Sequence, residues 1–281
     1  MRFALACLLA LPVYAGDIVV NGFKMHYEER GQGEPVLLLH GFSLDGRTWE
    51  PQSPLAKKYR LIIPDSRYHG RSEAPAASVG GSAEAAADMV ALLDQLEIGR
   101  AHVVGHSMGG TFALELALRY PDRVRSLILV APGVEGAPTP PEAMARFMEG
   151  LKRYQTEGIA GWRASWLSDP LFAQANAKPE LRRQVAAMVE AFQFEALMKV
   201  RLTSPGKPTQ LDRLDQVKAP TLVVVGTEDQ PHVRSASETA AKKIPGAKII
   251  TYPATGHMLS MEQPKKFNRD LEAFLKKVAA Q

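Results

Sequence analysis

The stretch Val103-Val104-Gly105-His106-Ser107-Met108-Gly109-Gly110 joins an apolar run to a helical pattern that continues through Arg119. A serine at a sharp strand-to-helix reversal has its hydroxyl lifted clear of the backbone, and glycines two residues to either side let strand and helix approach. Gly-x-Ser-x-Gly alone also describes a tight turn, but its place between a strand-like and a helix-like segment favours a nucleophile at Ser107. Such a serine needs a base, and the base needs an orienting carboxylate. Thr255-Gly256-His257 follows the strand-like Lys248 to Tyr252, and Gly226-Thr227-Glu228-Asp229 follows the apolar Val223 to Val225. His257 is therefore the candidate base and Asp229 the candidate acid. Glu228 is the rival acid, because the two carboxylates cannot both orient one imidazole.

Acyl chemistry at Ser107 also needs donors for a tetrahedral oxyanion. The N–H of Met108 lies at a helix start, where unpaired donors and the positive dipole end coincide. The second donor is expected from His40-Gly41-Phe42, the loop after the apolar Val36 to Leu39 run, and is assigned to the N–H of Phe42. The Phe42 side chain is free either to pack or to wall an acyl site.

These loops need a scaffold that brings strand ends together. Asp17 to Val20 and Phe23 to Glu29 read as a hairpin turned at Asn21-Gly22. Short apolar runs at Val36 to Leu39, Arg60 to Ile63, His102 to Val104, Ser126 to Val130, Thr221 to Val225 and Lys248 to Tyr252 read as strands. Helical patterns separate them at Ser82 to Leu96, Met108 to Arg119, Ser235 to Lys243 and Pro264 to Val278. The alternation predicts an α/β fold with a largely parallel sheet covered on both faces. From 133 to 208 there is no buried-strand run, only helical patterns at Pro141 to Tyr154, Gly158 to Leu167 and Pro179 to Leu202, between turn-rich ends. This segment reads as a helical cap inserted between core segments 16–132 and 209–281.

The chain of 281 residues, 46% hydrophobic and 23% charged, has the composition of a globular enzyme. Its net charge of +4 is spread along the chain, with no basic stripe or aromatic platform for nucleic acid. Residues 1–15 stand apart: Arg2, then apolar Phe3 to Val13, then Val13-Tyr14-Ala15 before Gly16. This pattern predicts a secretory signal cleaved after Ala15 and a periplasmic or secreted product. The apolar stretch is shorter than the roughly 20 residues a spanning helix needs, so no stable membrane span is expected. Cys7, the only cysteine, falls inside the signal, leaving the mature chain without disulfides, thiolate zinc sites or a cysteine nucleophile. A lipoprotein reading of Ala4-Leu5-Ala6-Cys7 is weak, because almost no apolar stretch precedes Cys7. Oligomeric state leaves no trace in the sequence.

Taken together, His40-Gly41-Phe42, Asp65-Ser66-Arg67-Tyr68-His69-Gly70-Arg71-Ser72, Gly105-His106-Ser107-Met108-Gly109-Gly110, Gly226-Thr227-Glu228-Asp229 and Gly256-His257 resemble the α/β-hydrolase superfamily, in its lidded esterase and lactonase branch. The resemblance runs from about residue 17 to the C-terminus. It implies an eight-stranded, mostly parallel sheet with an antiparallel second strand, a cap after the sixth strand, and the chain order Ser107, Asp229, His257. It also implies a cofactor-free, metal-free reaction through an acyl-enzyme. Tyr68 departs from the pattern, standing where these enzymes usually have glycine. Serine at 107 argues against the related dehalogenases and epoxide hydrolases, which use aspartate.

Other residues have plainer roles open to them. Arg67, His69 and Arg71 carry charge for an anionic substrate, but in similar proteins this loop mainly stabilises the scaffold. His102 and His106 are four apart, yet they sit at the two ends of a strand and lack the zincin glutamate. His106 is expected to pack or hydrogen-bond beside the serine turn, and Trp49 to pack. Glu262 follows His257 at helical spacing, either solvent-facing or supporting the imidazolium. Apolar stripes in the cap, Met144-Phe147-Met148-Leu151 and Leu181-Val185-Met188-Val189-Phe192-Leu197, mostly bury the cap, with a few side chains expected to form a methionine-walled pocket over Ser107. The expected substrate is a small or medium uncharged ester or lactone. Carbon–carbon bond hydrolysis, amide or aminopeptide cleavage and cofactor-free perhydrolysis share the machinery, and a ligand-binding protein could retain it.

Overall fold

The computed structural model describes residues 13–75, 81–200 and 206–280. Eight strands form one sheet: β1 (Val13–Val20), β2 (Phe23–Arg30), β3 (Glu34–Leu39), β4 (Tyr59–Pro64), β5 (Ala101–His106), β6 (Val124–Val130), β7 (Thr221–Gly226) and β8 (Lys248–Tyr252). Their spatial order is β1-β2-β4-β3-β5-β6-β7-β8. β2 runs antiparallel to β1 and β4, and the successive pairs β4-β3, β3-β5, β5-β6, β6-β7 and β7-β8 are parallel. The hairpin turns where predicted, with Asn21 and Gly22 both at positive φ, 45° and 82°, as a two-residue turn with matching twist requires.

β1 begins at Val13, and Tyr14 and Ala15 pair with Glu29 and Glu28, so the predicted cleavage point falls inside a paired strand. Residues 1–12, with Cys7, lie outside the described residues.

The helices are α1 (Ser82–Gln95), α2 (Met108–Arg119), α3 (Pro141–Leu167), α4 (Ala173–Asn176), α5 (Pro179–Ala191), α6 (Phe194–Leu197), α7 (Gln210–Arg213), α8 (Pro231–Lys243), α9 (Leu259–Glu262) and α10 (Pro264–Ala279). Strand alternation divides the core. Leu37 and Leu39 face a layer shared with Met89, Leu92 and Leu93 of α1 and Leu114 of α2. Val36 and Leu38 face the opposite layer, with Trp49 and with Phe267, Leu271 and Leu275 of α10. Trp49 is fully buried beside Phe267, the packing role expected of it. Among the described residues no helix is long and apolar enough to cross a membrane.

Helices α3 to α6 lie between β6 and β7. α3 is a single run kinked at Gly158, whose φ of 71° lies outside helical space. The pattern beginning at Pro179 ends sooner than its apolar stripe suggests, at Ala191. Phe192 turns extended, and Gln193 then donates its N–H to the Tyr68 carbonyl (3.0 Å) and its side-chain amide to the Ser72 carbonyl (2.7 Å). These core contacts replace the next helical turn. Residues 201 and 202, at the end of the predicted helix, lie outside the described residues.

The cap core of Trp162, Phe172, Val185, Met188 and Phe192 closes over Leu44, Tyr68 and Met258. Tyr68 is buried at φ 69°, a left-handed backbone suited to glycine, and its hydroxyl donates to the Pro75 carbonyl (2.9 Å).

Candidate active site

Because β3, β5, β7 and β8 run parallel, their C-terminal ends meet along one rim, and each delivers one predicted site loop. Ser107 sits between β5 and α2 at φ 53°, ψ −115°. For a residue other than glycine this strain is on the order of 1–3 kcal/mol. Surrounding bonds hold it: the Ser107 N–H donates to the Val130 carbonyl, and its own carbonyl accepts from Gly110, Thr111 and Gly133. A Cβ at Gly105 would stand 2.2 Å from the Gly109 carbonyl oxygen, and one at Gly109 would stand 2.3 Å from that of Leu39. The glycine spacing read from the sequence is thus a packing requirement.

The acid and histidine loops are laced together. A Cβ at Gly226 would meet the Thr255 carbonyl oxygen at 2.0 Å, and Glu228 N–H donates to that same oxygen at 2.9 Å. Asp229, not Glu228, reaches the imidazole: its Oδ2 lies 2.9 Å from His257 Nδ1, while its Oδ1 accepts the Gln230 N–H at 2.7 Å. Both residues are 5% exposed. A carboxylate only accepts, so Nδ1 carries the proton and Nε2 is left as the basic nitrogen. Burial opposes the imidazolium, but the Asp229 charge and hydrogen bond, aided by Glu262 and Asp169, raise the His257 pKa above its ordinary value.

Glu262 is half-buried rather than solvent-facing, and it accepts the N–H groups of Gly256 (2.8 Å) and Met258 (3.1 Å). His106 donates Nε2–H to the His257 carbonyl at 2.9 Å, and its ring lies 4.9 Å from that of His257. Burial holds the His106 pKa well below its ordinary value. His102 instead meets Ser126 Oγ at 2.7 Å, so the two histidines face different partners.

In the loop after β3, His40 donates Nδ1–H to the Gly41 carbonyl (2.9 Å) and accepts the Ser66 N–H at Nε2 (3.0 Å). Among the described residues no protein acceptor engages the N–H of Phe42 or Met108. The Phe42 ring packs edge-on against Phe192 and Trp166 of the cap, with centroids 4.9 and 5.5 Å away. Trp166 Nε1–H donates to Ser43 Oγ at 2.6 Å, a tie between cap and loop that sequence reasoning did not find.

Arg67 pairs with buried Asp88 through two bonds of 2.7 and 2.6 Å, Arg71 pairs with Glu28, and His69 donates Nδ1–H to the Arg67 carbonyl. These contacts assign the loop to the scaffold. Breaking a buried pair such as Arg67–Asp88 costs about 3–5 kcal/mol.

Ser107 and His257 line one cavity of about 210 Å³. Its apolar walls come from the segment after β6, Ala131 to Val134, and from Leu171, Val233 and Ala236. Among the described residues no methionine lines it; Met144 and Met148 are exposed on α3, and Met188 is buried in the cap core. The expected methionine-walled pocket is therefore replaced by small, rigid residues. His232, three residues beyond Asp229, also lines this cavity, and the sequence reading passed over it.

The sequence profile of the α/β-hydrolase fold matches residues 34–264. The chain belongs to the α/β-hydrolase family. A curated relative from Burkholderia cepacia, a 2-hydroxy-6-oxo-6-phenylhexa-2,4-dienoate hydrolase, is 30% identical over 89% of this chain and 90% of its own length. Among solved structures, Est816, described as an N-acyl homoserine lactone degrading enzyme, superposes with a TM-score of 0.78 at 31% identity, covering 92% of this chain and 100% of its own. A thermophilic esterase from Thermogutta terrifontis superposes at 0.79 with 29% identity, covering 94% of this chain and 99% of its own. The chain is accordingly a hydrolase of the α/β-hydrolase family, structurally close to the esterase and lactonase members.

Proposed function

We propose that this hydrolase cleaves small carboxylic esters or lactones through an acyl-enzyme on Ser107. The observation that carries the proposal is one arrangement: a serine at strained φ lines the same cavity as a buried histidine hydrogen-bonded to a buried aspartate. Ser107 Oγ attacks the carbonyl carbon as its proton passes to His257 Nε2. Asp229 holds the Nδ1–H tautomer and balances the imidazolium. The N–H groups of Phe42 and Met108 receive the oxyanion. His257 then protonates the departing oxygen, and water activated by the same nitrogen releases the acid. The likeness to Est816 and the Thermogutta esterase supports ester and lactone substrates.

Carbon–carbon bond hydrolysis is the second reading, favoured by the Burkholderia relative. The cavity at Ser107 weighs against it, because its described lining has no cationic side chain to pair with a dienoate carboxylate. A matched panel of esters, lactones, peptides and ring-cleavage ketones, assayed with wild type and Ser107→Ala, decides between them. Fast Ser107-dependent cleavage of the ketone or peptide, with slow esters, overturns the ester reading.

We also propose export, on the basic, apolar and small-residue order of residues 2–15. Protein recovered from its native host is expected to begin at Gly16. An intact Met1 in a cytoplasmic pool rejects it.

A further inference from the structure

Beyond the cavity at Ser107 lies a second of about 330 Å³. The two share Val134, Ala137, Pro138, His232 and Ala236 as walls, so they adjoin, and His232 borders both. The outer chamber reaches solvent past exposed Pro138, Glu142 and Ser235. The chambers differ in chemistry. The inner one is apolar apart from the reacting groups, Thr139 and His232, whereas the outer one sets Glu142, Arg146, Gln230, Ser235 and Thr239 among apolar walls that include Pro140, Leu211 and Pro231.

We propose that His232 is a substrate-binding residue, and that it takes an uncharged group that both donates and accepts hydrogen bonds, such as an amide, carried a few bonds from the scissile carbonyl. The proposal rests on the ester and lactone reading and narrows it. An apolar cavity of about 150 Å³ holds a benzene ring. The inner chamber of about 210 Å³ therefore takes a compact apolar portion, and a longer arm directed toward the outer chamber runs beside His232.

Among the described residues the His232 imidazole has no hydrogen-bond partner in the protein. Burial, with His257 and Arg146 nearby, holds its pKa below the ordinary value against the pull of Asp229 and Asp169. A neutral imidazole presents one donor and one acceptor, which complements an amide; a carboxylate would need donors alone. Arg146 lies in the outer chamber, where its charge is offset by Asp169, which accepts from its Nε at 3.0 Å, and by Glu142 in the same lining.

The test compares butyrate esters of 2-acetamidoethanol, n-pentanol and 4-hydroxybutanoate, which place an amide, an alkyl chain or a carboxylate at similar reach. Wild type is expected to favour the acetamidoethyl over the pentyl ester by roughly three- to tenfold in kcat/KM, the range of one net hydrogen bond. His232→Leu should erase that ratio, and His232→Gln, which keeps a donor and an acceptor, should restore part of it. N-Butylacetamide, an amide without an ester, should bind Ser107→Ala at least threefold more tightly than the double variant Ser107→Ala/His232→Leu, measured by NMR titration. A ratio indifferent to His232, with Ser107-dependent turnover intact, overturns the proposal and leaves the ester reading standing. A preference for the carboxylate ester also overturns it. Absent ester turnover, with His232-dependent amide binding, sinks the ester reading and supports the site.

Discussion

Glu262 brackets His257: its two carboxylate oxygens accept the backbone N–H groups of Gly256 and Met258, the residues on either side of the histidine. The carboxylate fixes the loop and adds negative charge near the imidazole, and it contributes to the raised His257 pKa. A glutamine can satisfy only one of those N–H groups with its oxygen and turns a donor toward the other.

Glu262→Gln is therefore expected to lower kcat/KM about tenfold and to move its acidic limb to lower pH. The sign follows from the base. His257 must be unprotonated to accept the Ser107 proton, and loss of a nearby negative charge weakens the imidazolium, so deprotonation occurs at lower pH. A pH–rate profile checks this. A uniform rate loss with an unmoved limb would reduce Glu262 to a loop brace.

Asp229 and Glu228 are adjacent in sequence but unlike in surroundings. Asp229 is buried on His257 Nδ1, while Glu228 accepts from the Thr227 hydroxyl at an exposed site. Asp229→Asn should lower kcat by on the order of 10⁴, the loss seen when an amide imposes the wrong tautomer. Glu228→Gln should stay within about threefold of wild type, since its exposed carboxylate is screened by solvent and does not touch the imidazole. Steady-state kinetics on one ester compares them, and the reverse order would move the acid role to Glu228.

The Trp166–Ser43 hydrogen bond joins the cap to the residue beside Phe42. Ser43 is buried at φ 61°, so its position is constrained from both sides. A neutral hydrogen bond contributes about 0.5–1.5 kcal/mol. If it steadies the Phe42 amide for the oxyanion, Trp166→Phe should reduce kcat roughly three- to tenfold and leave KM within about twofold. Ser43→Ala should match it. A change confined to KM would place the tie in substrate entry instead.

The parts of the site legible in the sequence are those fixed by backbone. Gly105, Gly109 and Gly226 mark contacts that exclude a Cβ, and Asp229 and His257 follow buried strands, so type and spacing carried the information. The cap was less legible because its apolar stripes fit burial in its own core as well as a pocket wall; Met188 and Val189 took the former. The helix pattern from Pro179 hid a break that depends on Gln193 meeting Tyr68 and Ser72, contacts far away in sequence. His232 had a local signal that went unused. α8 starts at Pro231, a favoured first helical residue, and placing its start at Ser235 omitted the turn that carries His232 to the cavity.

The central claim is that Ser107 is the acylated nucleophile. The most direct measurement is intact-protein mass spectrometry after rapid mixing with an activated short-chain ester. The account predicts a transient mass gain of one acyl group, mapped by proteolysis to Ser107, prolonged in His257→Ala and absent in Ser107→Ala. Acylation of another residue, or full turnover by Ser107→Ala, would contradict it.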